Sequence, residues 1–275
     1  MSESTLRLEN VTVKFDDVVA LDNVSLDVAE GETLIVMGAA ASGKTTLLKT
    51  AMGLVRPDAG RVFLFGQDVT GKPESEWFEI RSRIGMLFQE SALFDSMTVA
   101  QNVAYPLLNQ KANQETEKMS REKMEAEVRE SLRFVELEQT IGLYPSELSG
   151  GMRRRVAIAR AVVTKPPLLL YDSPTAGLDP ITAHTIMALI VKERDIDNTT
   201  ALVVTHRYQD GNLVANFRYN PESGRLDPAG KSGTKTVFVV LREGRLVFNG
   251  PQMDLEKSTD PYISKFVKRP EQAAA

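Results

Sequence analysis

Gly38-Ala39-Ala40-Ala41-Ser42-Gly43-Lys44-Thr45-Thr46 lies between an apolar run, Thr33 to Met37, and a stretch with apolar residues at Leu47, Leu48, Ala51, Leu54 and Val55. The first run reads as a short strand buried in a parallel sheet. The second repeats at helical spacing. Strand, loop and helix are the context that G-x-x-x-x-G-K-[ST] requires. Gly38 and Gly43 let backbone N–H groups turn inward onto phosphate oxygens, and a helix starting near Lys44 adds the positive end of its dipole. Ser42, Gly43, Lys44, Thr45 and Thr46 are thus candidate phosphate ligands. Lys44 is placed to reach the β- and γ-phosphates and Thr45 to ligate Mg²⁺. The motif says nucleotide phosphate and nothing finer, because kinases, GTPases and motors share it.

Outward from the loop, Leu6 to Phe15 alternates polar and apolar with a break near Asn10, and Val24 to Val28 alternates again. Gly60 to Phe65 and Ile84 to Phe88 read as strands. From about Ser91 to Lys165 the pattern is mostly helical. Lys111 to Glu130 is dense in charge, with Met119, Met124, Val128, Leu132 and Val135 on one apolar face. Pro166 to Tyr171 is an apolar strand ending at Asp172, and Ala201 to Thr205 another, ending at His206. Asn220 to Thr234 reads as a loop or hairpin insertion. Val237 to Leu241 and Arg245 to Phe248 flank a turn at Glu243-Gly244. Strands alternating with helices at both ends, with helices inserted between, predict an α/β core with a helical subdomain.

Bulk properties narrow the function classes. The chain has 275 residues, net charge −4 and no cysteine. Nucleic-acid proteins usually carry a basic excess, so no nucleic-acid partner is expected. Disulfides and cysteine metal sites are excluded, as fits a reducing compartment. Residues 1–15 lack the apolar stretch of a signal peptide. No stretch approaches the ~20 apolar residues of a membrane span, so any membrane role is expected to come through a partner.

Leu168 to Asp172 is the kind of strand that delivers one carboxylate to Mg²⁺. Just upstream, Leu148-Ser149-Gly150-Gly151-Met152 opens a helix running to Arg160. Ser149 and the two glycines put a hydroxyl and bare N–H groups at that helix N-terminus, a second anion site. Two anion sites far apart in sequence could grip one nucleotide if two chains met head to tail.

From about Leu6 to Gly250, the order of these motifs resembles the ATP-binding cassette family. Phe15 matches the aromatic that stacks on adenine, Gln89 the glutamine of the family's Q-loop, Ala176-Gly177-Leu178-Asp179 its D-loop, and His206 its switch histidine. The resemblance implies a RecA-like P-loop core (about 1–88 and 160–250) with an N-terminal antiparallel β subdomain and an inserted helical subdomain (about 89–159). It ends in a frayed tail at 271–275. It implies ATP and Mg²⁺ as cofactors, with Thr45, Gln89 and Asp172 around the metal, and Gln89, Asp172 and His206 at the hydrolysis centre. It also implies a cassette dimer, homodimeric or mixed. Ser149, Gly150, Gly151 and Asp179 of one chain would then complete the nucleotide site of the other. A transmembrane permease would dock near Ser91 to Leu108, holding the chain at the cytoplasmic face of the membrane.

Two residues depart from the family pattern. Glutamate usually follows the strand-end aspartate and polarises the attacking water; here it is Ser173, which has no useful basicity at pH 7. ATP binding is therefore expected intact and hydrolysis slow. Ala41 stands where glycine is common, and alanine suits a right-handed φ but not a positive one. Finer likeness, in Gly85 to Val99, Asn102 to Leu107 and Pro145 to Met152, is to the phospholipid-transport ATPases of diderm bacteria. A solute-importer cassette and a non-transport nucleotide sensor are the alternatives. His184 reads as a helix-surface residue, Trp77 as packing, and Arg153 to Arg155 as a solvated helix face.

Overall fold

The computed structural model describes residues 4–109, 119–230 and 234–267. The chain forms two compact units, residues 1–72 with 190–275, and residues 73–189. The first begins with β1 (Ser4–Phe15), β2 (Val18–Ala29), β3 (Thr33–Gly38), α1 (Lys44–Ala51), β4 (Ala59–Leu64) and β5 (Gln67–Asp68). The second holds α2 (Glu74–Arg81), β6 (Ile84–Leu87), α3 (Val99–Asn109), α4 (Arg121–Phe134), α5 (Gly150–Val162) and β7 (Leu168–Asp172). Helix α6 (Pro180–Asp197) carries the chain back. The first unit then continues with β8 (Thr200–Val204), α7 (Tyr208–Asn216), β9 (Phe217–Asn220), β10 (Arg225–Pro228), β11 (Thr236–Arg242), β12 (Arg245–Gly250), α8 (Gln252–Glu256) and α9 (Pro261–Val267).

In the first unit, alternation along β1 and β2 buries Leu6, Leu8, Val11 and Val13 against Leu21, Val24, Leu26 and Val28 in an antiparallel sheet. The break near Asn10 is a bulge: Asn10 has φ +51°, and the register slips between Leu8 and Val11. Strand β3 is buried throughout because parallel strands flank it on both edges, β11 and β8. Glu243 (φ +50°) and Gly244 (φ +77°) make the expected turn between β11 and β12. The insertion supplies the turn and second strand of the hairpin β9–β10, whose first strand ends at Asn220.

In the second unit, β6 and β7 pair in parallel, and α3, α4 and α5 pack on one another. Every residue of β7 is buried, and α5 buries Val156 to Val162.

Three expectations need correction. Leu54 and Val55 do not belong to α1. The helix stops at Ala51 in a Schellman turn: Gly53 takes φ +66°, its N–H reaches Thr50 O at 3.0 Å, and Leu54 N–H reaches Lys49 O at 2.8 Å. Leu54 is left 49% exposed. Met119 likewise lies outside its helix and is exposed. Ser120 caps α4 by accepting from Lys123 N–H at 3.2 Å, so the apolar face starts at Met124. The expected helical residues at 111–118, and the tail at 271–275, lie outside the described residues.

The third correction concerns Arg153 to Arg155. Arg153 is exposed, but Arg154 is only 6% exposed. Its guanidinium donates to the carbonyls of Phe88 (3.1 Å), Gln89 and Ala176 (3.3 Å). Burial pulls it below arginine's ordinary pKa, against the pull of Glu90 and Asp172. Nearby, Arg160 donates to Ser91 O at 2.8 Å and Ala92 O at 2.7 Å. Arginine's planar fork suits such carbonyl clusters. Arg154→Leu would strand these carbonyls, so a loss of about 2–4 kcal/mol is expected. Urea unfolding at unchanged m-value checks it; a midpoint equal to wild type refutes it.

Candidate nucleotide site

The first unit supplies the phosphate loop. In the parallel register Val36 pairs with Val204, so β3 and β8 end side by side. Two residues beyond those partners come Gly38 and His206, and Thr205 N–H donates to Val36 O at 3.0 Å. The loop and the exposed His206 thus leave the same edge of the sheet. Gly38 admits no side chain: a Cβ there would lie 2.5 Å from both Leu241 O and Ser42 Oγ. Gly43, at φ +102° and at the N-cap of α1, is pressed against the carbonyl of Ala20. That contact sets the β1–β2 end of the hairpin beside the loop. At the hairpin's tip Phe15 is 48% exposed and Val18 65%, an apolar platform available for stacking.

Inside the loop, Lys44 Nζ donates to Gly38 O (2.9 Å), Ala39 O (2.6 Å) and Ser42 Oγ (3.2 Å). No acidic residue stands in the first turn of α1, so nothing there neutralises its positive end. Ser42 is buried, and its carbonyl accepts from Gly244 N–H at 3.2 Å, which braces the loop from the β11–β12 turn. Thr45 is exposed, and Thr46 is half-buried. Ala41 sits at φ +58°, the conformation expected to strain it.

The exit of β8 is also braced, by residues the sequence did not single out. Thr205 Oγ1 donates to Asp210 Oδ2 at 2.7 Å and accepts from Arg207 N–H at 3.0 Å. Arg207 Nε stands 3.7 Å from Asp210 Oδ1. His206 is held between these two anchors. A buried Asp four residues after the histidine is the only trace in the sequence, and it is a weak one.

The second unit supplies the other candidate groups. Asp172 ends β7 with 5% exposure. Ser173 follows at φ +50°, and its hydroxyl donates to Asp172 Oδ1 at 3.2 Å. Gln89 is exposed at the exit of β6, its own carbonyl held by Arg154. Ser149 caps α5, accepting from Met152 N–H at 3.2 Å, while its hydroxyl hydrogen remains a donor. Gly150 faces open space; a Cβ on Gly151 would meet Thr182 Cγ2 at 2.6 Å. Asp179 is committed locally. It accepts from Ile181 and Thr182 N–H at 3.0 Å and from Thr182 Oγ1 at 2.6 Å. Those bonds, the Thr182 hydroxyl first, hold its carboxyl below the usual range.

The donor chemistry suits Mg²⁺. That ion binds one or two carboxylates, keeps several waters and takes phosphate oxygens. Asp172 is a buried carboxylate of that kind, and Gln89, in the same unit, is an exposed amide. Among the described residues no group of three His, Cys, Asp or Glu forms an independent metal cage. No helix among them is long and apolar enough to cross a membrane.

The profile of the ABC transporter family matches residues 21–176. Along 268 residues the chain is 36% identical to the intermembrane phospholipid transport system ATP-binding protein MlaF of Haemophilus influenzae, covering 98% of this chain and 92% of that one. It is 42% identical over 213 residues to the methionine import ATP-binding protein MetN of Corynebacterium efficiens. That match covers 78% of this chain and spans only 57% of the relative. Among solved structures, the dimeric post-hydrolysis state of the ATP-binding cassette MJ0796 bound to ADP and Pi superposes with a TM-score of 0.72 at 32% identity. The superposition covers 89% of this chain and 97% of that one.

Proposed function

Because the chain belongs to the ABC transporter family, and is an ATPase subunit of it, we propose that it energises phospholipid transport by dimerising around ATP and moving a permease. The observation that carries this choice of cargo is coverage. The MlaF likeness spans 92% of that relative's own length, whereas two MetN likenesses span 57% and 74% of theirs. The dimeric state of the MJ0796 cassette supports the pairing.

In this reading Lys44 and the N–H groups of residues 42–46 hold the triphosphate, and Phe15 stacks on the adenine. Ser149, Gly150 and Gly151 of a second copy approach the γ-phosphate from the opposite side. Closure then depends on the γ-phosphate, and its loss reopens the dimer. Mg²⁺, where bound, neutralises phosphate charge beside Thr45, Gln89 and Asp172. Gln89 and His206 orient water. Ser173 cannot accept its proton, so turnover is slow.

The permease contact is read from the second unit. A groove of about 920 Å³ is lined by Phe78, Met86, Phe88, Phe94 and Tyr105, with Glu74 and Arg81 among its polar residues. Phe94 and Tyr105 stack at 4.7 Å, and both keep more than a third of their surface exposed. An apolar groove with a few polar groups accepts an amphipathic helix. Its lining overlaps the segment Ser91 to Leu108, and the chain is thereby held at the membrane surface.

Purifying the chain from its native host tests the cargo. A permease co-purifying with a lipid-binding protein, and ATP-dependent movement of labelled phospholipid by that complex in vesicles, is the expected result. Recovery with a soluble solute-binding protein instead, and no lipid movement, would select the importer reading.

A further inference from the structure

Tyr262, on α9, touches the phosphate loop through its hydroxyl. The O–H donates to Leu241 O at 2.9 Å, and the oxygen accepts from Ala39 N–H at 2.9 Å. In the β11–β3 ladder Leu241 is the partner of Gly38, and Ala39 is the first residue past β3. The hydroxyl therefore bridges the two strands at the point where the loop leaves the sheet. The peptide it grips is the one joining Gly38 to Ala39. That peptide's carbonyl accepts from Lys44 Nζ at 2.9 Å. One peptide plane is thus held at its oxygen by the ammonium that would reach the phosphates, and at its nitrogen by α9.

The ring has little freedom. Phe266 meets it edge-on at 5.2 Å, and the Arg242 guanidinium lies 5.5 Å from its centre. Tyr262 N–H donates to Asp260 Oδ1 at 2.7 Å, and Asp260 pairs with Arg242 at 3.7 Å. Ile263, the next residue, is 3% exposed and anchors the helix. The hydroxyl is therefore as well placed as α9 is docked.

We propose that Tyr262 is a positioning residue for the phosphate loop, so that docking of α9 and binding of nucleotide strengthen each other. The proposal rests on reading residues 38–46 as the phosphate site. When a phosphate draws Lys44 Nζ away, Gly38 O loses that donor while Ala39 O keeps the Ser42 N–H at 3.3 Å, and the Tyr262 bond holds the Gly38–Ala39 peptide from its nitrogen. A loop already held in its binding shape loses less freedom when the ligand arrives. Coupling of this kind is reciprocal: nucleotide must tighten α9 as much as α9 favours nucleotide.

Two measurements test it. The first needs no variant: amide hydrogen exchange of the intact chain with and without ADP. Slower exchange in residues 38–46 and in residues 262–267 together is expected. The second is ADP affinity by calorimetry. Tyr262→Phe should weaken it roughly 3- to 10-fold, the worth of one neutral hydrogen bond. In ATP hydrolysis KM should rise by the same factor, with kcat unchanged within about twofold. Tyr208→Phe is the control, since that hydroxyl bonds Glu256 and Gln252 away from the loop; its ADP affinity should equal wild type. Protection of the loop without α9, or equal affinities for the two tyrosine variants, overturns the proposal. If ADP protects neither segment, the phosphate-site reading itself fails and the proposal falls with it. Should Tyr262→Phe not fold, the wild-type exchange data decide alone.

Discussion

Lys44→Ala should yield a folded protein whose ATP affinity is about 10- to 150-fold weaker and whose hydrolysis is undetectable. Nζ lies within hydrogen-bond distance of two loop carbonyls and the Ser42 hydroxyl. A phosphate would meet a single ammonium already within the loop, needing only a change of partner. A charge-assisted bond to phosphate is worth about 1.5–3 kcal/mol, and such clamps commonly supply two to three powers of ten in rate. Fold stability loses much less, because Ala39 is exposed and its carbonyl keeps the Ser42 N–H. The melting temperature should fall by only a few degrees. Nucleotide titration and phosphate release check the first part and thermal melting the second. Retained micromolar binding would show that the backbone N–H groups alone hold the phosphates.

Ser173→Glu should raise ATP turnover by about 10-fold or more, up to the two to three powers of ten that one transition-state group provides. Serine offers no base at pH 7, and its hydroxyl donates to Asp172 Oδ1 at 3.2 Å. The backbone is prepared for the change. Ser173 already carries a Cβ at φ +50°, so glutamate adds no new backbone clash, only a longer acidic arm. Steady-state phosphate release, with the permease bound, reads the effect. If wild type turns over at ordinary transporter rates and Ser173→Glu changes nothing, another group serves as base. A mixed dimer with a complete second cassette would show instead as a partner that co-purifies.

Much of this was legible in the chain because local chemistry decided it. Gly38 and Gly43 were read as backbone necessities, and both meet carbonyl oxygens where a Cβ would go. Ser149 reads as the start of a helix, and it caps α5. Asn10 was read as a break, and it forms a bulge. The Gly53 stop was written in the sequence but was outvoted by the helical spacing of Leu54 and Val55.

Other features could not be read, because they depend on residues far along the chain. Three consecutive arginines look alike in sequence. What separates Arg154 is carbonyls 65 and 22 residues away, and no periodicity reports a carbonyl. Tyr262 is more remote still, 223 residues from Ala39. Asp179 shows a third limit. Its place in a motif was visible, but its engagement by Thr182 depends on how α6 begins.

The paired arginines of α5 have a mechanical consequence. Through Arg154 and Arg160 the helix headed by Ser149 is bolted to residues 88–92, the stretch that leads into the groove. A push delivered to that stretch cannot be absorbed by a slack loop before it reaches the helix. Displacing residues 88–92 therefore means either breaking those hydrogen bonds or carrying the helix headed by Ser149 along.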